Sequence, residues 1–143
     1  MLEYIGGCHC QNIVLKLEIT ARQSMGPPRA CDCNFCLKHG AAYISDNNGR
    51  LFIGVKNVSK LSKYRHGDRI AQFLVCQVCG VLVGVSYRDG DCLYASVNSK
   101  AIAQSEDFGT ATVVSPQTLS AAEKSQRWQT AWFRDVTIEG ASL

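Results

Sequence analysis

Residues 70–87 read Ile70-Ala71-Gln72-Phe73-Leu74-Val75-Cys76-Gln77-Val78-Cys79-Gly80-Val81-Leu82-Val83-Gly84-Val85-Ser86-Tyr87. Two apolar runs flank a Cys-x-x-Cys-Gly unit, which predicts a strand, a metal knuckle and a second strand. Glycine suits the position after the second cysteine. Such a knuckle points backbone amides at the thiolates, and the next residue often needs the positive φ that glycine tolerates. The Arg88-Asp89-Gly90-Asp91 turn leads into another apolar run, Cys92-Leu93-Tyr94-Ala95-Ser96-Val97. A meander of short strands is expected, in a mainly β fold.

Outward from this unit, the chain holds two more cysteine clusters, Cys8-His9-Cys10 and Cys31-Asp32-Cys33-Asn34-Phe35-Cys36, so that seven of its eight cysteines are clustered. Neighbours so close in sequence rarely bridge each other as disulfides, because that bond demands a particular Cα separation and dihedral. They can instead grip one soft ion from one side. Zinc favours about four sulfur or nitrogen ligands in a tetrahedron, so seven thiolates divide into a closed four and an incomplete three. Cys8 and Cys10 are paired on this reading with Cys76 and Cys79 as a structural zinc site. Spacing alone also allows Cys33 and Cys36 to join Cys76 and Cys79 as an ordinary ribbon. On the first pairing Cys31, Cys33 and Cys36 cap one face of an ion and leave the opposite vertex open, the arrangement of a catalytic zinc.

The rest of the chain bounds the setting. A chain of 143 residues, 46% hydrophobic and 19% charged with three prolines, is expected to be a single domain over residues 1–143 with a real core. Met1 to Gly7 show no basic region followed by an apolar one, and no stretch approaches a membrane span, so a cytoplasmic protein is expected. There, clustered cysteines serve metal or redox chemistry. A net charge of +3 permits an anionic small molecule but does not point to nucleic acid.

Residues 11–19 end in apolar–polar alternation, a half-buried strand. Gly26-Pro27-Pro28 breaks the chain before the triple cluster, and residues 34–39 form one helical turn ending at Gly40. Residues 41–45 and 51–55 read as strands around Asp46-Asn47-Asn48-Gly49, a hairpin signal. Residues 115–132 are the best helix candidate, with Pro116 in the first turn and Ser120 with Glu123 resembling a capping box.

Together, Gly7-Cys8-His9-Cys10, Cys31-Asp32-Cys33-Asn34-Phe35-Cys36 and Cys76-Gln77-Val78-Cys79-Gly80 resemble, in order and spacing, the signature of the glutathione-dependent formaldehyde-activating enzyme family, whose domain is shared with the centromere protein V group. The likeness runs over roughly residues 4 to 98. It implies an Mss4-like zinc-binding fold and about two zinc ions per chain. It also implies structural roles for Cys8, Cys10, Cys76 and Cys79, and a catalytic zinc at Cys31, Cys33 and Cys36. The implied activity is that of a carbon–sulfur lyase, S-(hydroxymethyl)glutathione synthase, joining formaldehyde or a similar small carbonyl to glutathione or a like thiol. Two positions depart from the family's habit. Gln11 stands where glycine is common after the first pair, and Leu37-Lys38 where a basic residue often follows the triple.

Other residues carry two readings each. His39, three residues after Cys36, could complete the zinc shell or shuttle a proton, or simply cap a helix end. His9 should point away from the metal. The run Lys56, Lys60, Lys63, Arg65, His66 and Arg69, with Tyr64 beside it, could meet substrate carboxylates or be a solvated face. Trp128 and Trp132 share a helical face and read more readily as core anchors than as a binding box. Cys92 reads as a small buried apolar residue. A non-catalytic zinc module for protein or nucleic acid is the competing function. A methionine sulfoxide reductase is a third, though it wants a redox cysteine outside the clusters and only Cys92 is available.

Overall fold

A computed structural model describes all residues, 1–143. The chain is mainly β, with eleven strands in two sheets. The strands are β1 (Leu2–Gly7), β2 (Ile13–Ile19), β3 (Arg29–Cys31), β4 (Ala42–Ile44), β5 (Arg50–Val55), β6 (Leu61–Tyr64), β7 (Gln72–Cys76), β8 (Leu82–Asp89), β9 (Cys92–Asn98), β10 (Thr112–Val114) and β11 (Asp135–Glu139). Three α-helices accompany them: α1 (Arg22–Met25), α2 (Asn34–His39) and α3 (Ala121–Ala131). The smaller sheet runs β1-β2-β5-β11, and the larger β10-β3-β4-β9-β8-β7-β6. No helix is long and apolar enough to cross a membrane.

Alternation explains the smaller sheet. Ile13, Leu15, Leu17 and Ile19 of β2 are all buried, and the register sets the first three opposite Val55, Ile53 and Leu51 of β5, so one face is a continuous apolar surface. That face packs on the larger sheet, since Ile44, Leu74, Val83, Ala95 and Val97 belong to the same core. Their chain neighbours Tyr43, Phe73, Leu82 and Tyr94 point the other way and build a second core with Cys36 and Trp132. The larger sheet is therefore covered on both sides. This accounts for the unbroken apolar run of β8, which would alternate if one face met water.

The C-terminal segment supplies the second cover. α3 starts with the capping box expected from the sequence: Glu123 N–H donates to the Ser120 hydroxyl, and Ser120 N–H donates to the Glu123 carboxylate. The expected long helix is in fact a short 3-10 turn over Pro116–Thr118 followed by α3. The two are separate because Leu119 and the cap Ser120 are extended. At its far end Trp132 enters the second core while Phe133 enters the first. The Phe133 backbone exchanges hydrogen bonds with Ala95 at 3.0 and 3.1 Å.

The expected hairpin at Asp46–Gly49 is not one. The strands on either side of the turn exist, but β4 pairs with β3 and β9, whereas β5 pairs with β2 and β11 in the other sheet. Tertiary contacts override the local signal. The buried Asp46 carboxylate accepts the Thr20 N–H and hydroxyl at 2.7 Å, the Ser24 hydroxyl at 3.1 Å and the Asn48 N–H at 3.0 Å, pinning the turn as a crossing between sheets. Burial would raise its carboxyl, but these donors hold it below the ordinary range.

Two backbone positions give direct tests. A Cβ at Gly84 would lie 2.7 Å from the Ser96 carbonyl oxygen on the neighbouring strand, so Gly84→Ala is expected to cost about 1–3 kcal/mol in chemical denaturation. Gln11 sits at φ 67°, a left-handed conformation that costs a side-chain-bearing residue about 1–2 kcal/mol. Its amide recovers part of this by donating to the Cys8 carbonyl at 3.0 Å. Gln11→Gly is therefore expected to raise the denaturation midpoint, and a lowered midpoint would show that the amide bond outweighs the strain.

Candidate metal centres

Four thiols meet between the two sheets. Cys8 follows β1 and Cys10 precedes β2, while Cys76 ends β7 and Cys79 lies in the turn to β8. The sulfurs of Cys8 and Cys10 are 3.7 Å apart, and those of Cys10 and Cys76 3.6 Å, with all four within 4.8 Å of one another. Four thiolates around a tetrahedral ion at about 2.3 Å would have sulfurs about 3.8 Å apart, so this set fits such an ion closely. The alternative ribbon, in which Cys33 and Cys36 share an ion with Cys76 and Cys79, is not formed.

The backbone is arranged as a knuckle demands. Ile13 N–H donates to Cys8 Sγ at 3.2 Å and Val78 N–H to Cys76 Sγ at 3.4 Å. Gly80 takes φ 79°, and Gln11 occupies the corresponding left-handed place after the first pair. Burial raises the Cys8 thiol to about 11. Burial would also raise that of Cys79, but the Cys10 and Val81 amides prevail and bring it to about 6. His9 is exposed, as alternation between two ligands suggests.

The second group is Cys31, Cys33 and Cys36, whose sulfurs also lie within 4.8 Å of one another. Cys31 ends β3, Cys33 caps α2 and Cys36 lies within that helix, which stops at Gly40 in the left-handed conformation, φ 59° and ψ 32°. Cys36 N–H donates to Cys33 Sγ at 3.4 Å. Between the ligands, Asp32 turns away and accepts hydrogen bonds from the Ser115 hydroxyl and the Gln117 amide. Its N–H donates to the Val114 carbonyl at 3.0 Å, continuing the parallel pairing of β3 with β10. The knuckle is thus braced from the C-terminal segment.

A hydrogen bond from Cys36 lowers the Cys31 thiol to about 6 against the opposing effect of burial. The Cys36 thiol is correspondingly pushed up, by that bond and by its own burial, and burial raises Cys33 as well. Tyr43 hydroxyl lies 3.1 Å from Cys36 Sγ. Burial, then the sulfur beside it, keeps the phenol protonated far above its usual range, so it can donate to a thiolate there. No fourth ligand joins the three. His39 is exposed, with its ring on Phe35 at 4.8 Å between centroids.

The three thiols line a cavity of about 320 Å³ between the outer face of the larger sheet and α3. Trp128 and Trp132, stacked at 4.5 Å between centroids, form one wall, so they anchor the second core and face the cavity at once. Lys124 and Asp68 also line it and pair at 3.0 Å. Of the basic run, only His66 reaches the cavity. Lys63 donates to the Ser142 carbonyl and Arg65 to the Arg69 carbonyl, and Tyr64 is exposed. Cys92 is exposed rather than buried, because β9 starts there at the mouth of the turn from β8. Sequence reading missed Arg29, Tyr43 and Arg127 in the cavity wall. Arg29 alone left a signal, standing two residues before Cys31 on one face of a strand.

No protein-family profile and no curated protein matches the sequence. Among solved structures, the crystal structure of a Rhodobacter sphaeroides protein, a structural-genomics target, is similar to this chain with a TM-score of 0.56 and 24% identity. The match covers 77% of this chain and 99% of that one, a likeness of fold alone.

Proposed function

We propose that the chain is a zinc-dependent carbon–sulfur lyase with an Mss4-like fold, of the glutathione-dependent formaldehyde-activating type, joining a small carbonyl to a glutathione-like thiol. The observation that carries this reading is the incomplete ligand set. Three thiols, with no fourth ligand beside them, converge from one knuckle on the wall of a cavity. A closed structural site has no reason to open on a pocket. The four-thiol group, set between the sheets and away from that cavity, would hold the structural ion.

A zinc ion held at Cys31, Cys33 and Cys36 would supply a soft Lewis acid at which a substrate thiol loses its proton readily. The remaining work falls to the chain. Tyr43 steadies Cys36 by its hydroxyl, and Asp32, tied to Ser115 and Gln117, fixes the spacing of Cys31 and Cys33. His66 lines the cavity, and its buried Nε2 has no hydrogen-bond partner. We assign it to carry the proton. In the addition the thiol S–H bond breaks and a sulfur–carbon bond forms. The carbonyl π pair goes to oxygen, and the proton returned to that oxygen completes the hydroxymethyl thioether.

Metal analysis and two variants test the reading. About two zinc ions per chain are expected, one of them removable by a mild chelator, with thiol addition to formaldehyde followed by NMR of the adduct. One tightly held ion and no acceleration would favour a non-catalytic zinc module instead. Cys33→Ser should lose the second ion and the activity while melting near the parent. Cys79→Ser should fail to fold, since structural zinc contributes roughly 10–16 kcal/mol of apparent binding energy. Equal unfolding of both would reject the division of labour. The sign of the pH effect is also set. With Cys31 near 6 and Cys33 and Cys36 raised, zinc uptake by the triple centre at neutral pH should release about two protons. Calorimetry in buffers of different ionisation enthalpy reads that number, and metal affinity should fall as the pH drops through the neutral range and more steeply below about 6.

A further inference from the structure

The cavity holds cations without counter-charges. Arg29 is half-buried in its wall, and its Nη2 donates to two buried hydroxyls, Ser45 at 2.7 Å and Ser96 at 3.3 Å. Neither hydroxyl carries charge. Nη1 and Nε meet no acceptor in the protein, and no carboxylate lies within ion-pair distance. Arg127, on α3, lines the same cavity and also has no ion pair. An unpaired cation on a solvated surface is ordinary, but one withdrawn into a cavity beside another of the same sign is costly unless an anion joins it. The cavity's one acid, Asp68, is already taken by Lys124.

The position of Arg29 tells where the anion would sit. It precedes Cys31 by two residues on β3, so both side chains leave the same face of the strand, about 6–7 Å apart at their Cα atoms. A group held by Arg29 therefore stands a few bonds from whatever meets the three thiols. The stacked indoles of Trp128 and Trp132 give the same cavity a flat apolar wall.

We propose that this cavity selects a compact organic acid with a flat apolar body, its carboxylate held by the Arg29 and Arg127 guanidinium groups and its body lying on Trp128 and Trp132. The proposal rests on the lyase reading only for the end of the ligand that faces Cys31, Cys33 and Cys36, which would carry the thiol. Within the lyase reading this puts an aromatic mercaptocarboxylate in the place of glutathione itself, because a peptide's polar backbone would lie unpaired against indole.

The chain has two tryptophans and both line the cavity, so their fluorescence reports this site alone. The zinc-loaded protein is titrated with 3-phenylpropionate and its neutral isostere 3-phenylpropanol, then with 2-mercapto-3-phenylpropionate and glutathione. The acid is expected to bind at least about tenfold tighter than the alcohol, and Arg29→Gln and Arg127→Gln are each expected to remove most of that preference. Arg127 is exposed on a helix, so its variant keeps the test sound if Arg29→Gln, which loses two buried hydrogen bonds, melts early. Equal binding of acid and alcohol, or a preference that survives in Arg127→Gln, overturns the anion site. Glutathione binding as tightly as the aromatic mercapto acid overturns the apolar body. If the acid preference holds and the thiol adds nothing to it, the anion site stands and the thiol reading falls.

Discussion

The four thiols of Cys8, Cys10, Cys76 and Cys79 join what the strand ladders leave separate. The smaller sheet flanks the first pair through β1 and β2, and the larger sheet flanks the second through β7 and β8, so the cluster closes a loop between residues sixty-six apart in sequence. The sheets share an apolar interface but no named strand pairing. Hydrophobic burial holds two such faces together without fixing how far one slides over the other. Sulfurs 3.6 and 3.7 Å apart, each pair set in a knuckle whose amides point inward, provide that registration.

Once the sheets are registered, the larger one must be covered on its other side. Tyr43, Leu82 and Tyr94 present an apolar face that α2, α3 and the Trp132 side chain close over. The cover is incomplete where α3 stands off the sheet, and the gap is the cavity. The triple cysteine group borders that gap because β3 belongs to the larger sheet while α2 lies on its outer side. The two clusters thus stand on opposite sides of one sheet, within different cores, one enclosed between the sheets and the other bordering the cavity.

Some of this was legible in the residues themselves. Both knuckles, the left-handed Gly40 and Gly80, the turn of α2 and the Ser120–Glu123 capping box are local devices, and local chemistry specifies them. The division of seven cysteines into four and three followed from ligand number. What escaped depended on distant partners. Asp46 turns a hairpin signal into a crossing because Thr20 and Ser24 meet its carboxylate. The parallel pairing of β11 with β5 leaves only a weak alternation in Asp135–Glu139. The cavity joins Arg29, Tyr43 and Arg127, and no spacing rule connects residues so far apart in the chain. The basic run over residues 56–69, which reads either as a carboxylate contact or as a solvated face, contributes only His66 to the cavity among its cations.

The three-thiol centre also depends on a segment that carries none of its ligands. β3 is only three residues long and pairs with β4 through two of them, too little to fix the two sulfurs that leave its end. β10 adds a parallel partner on the other edge, and the Asp32 N–H extends that ladder to Val114. Ser115 and Gln117 then grip the Asp32 carboxylate, and a few residues later the same stretch becomes α3, with Arg127 and the two indoles. Residues 112–132 therefore set the spacing of the thiols and the shape of the cavity in front of them. A displacement of this segment would be felt by the three thiols and by the cavity wall together. The spacing of Cys31, Cys33 and Cys36 is in this sense coupled to the placement of Trp128, because both are set by one continuous piece of backbone.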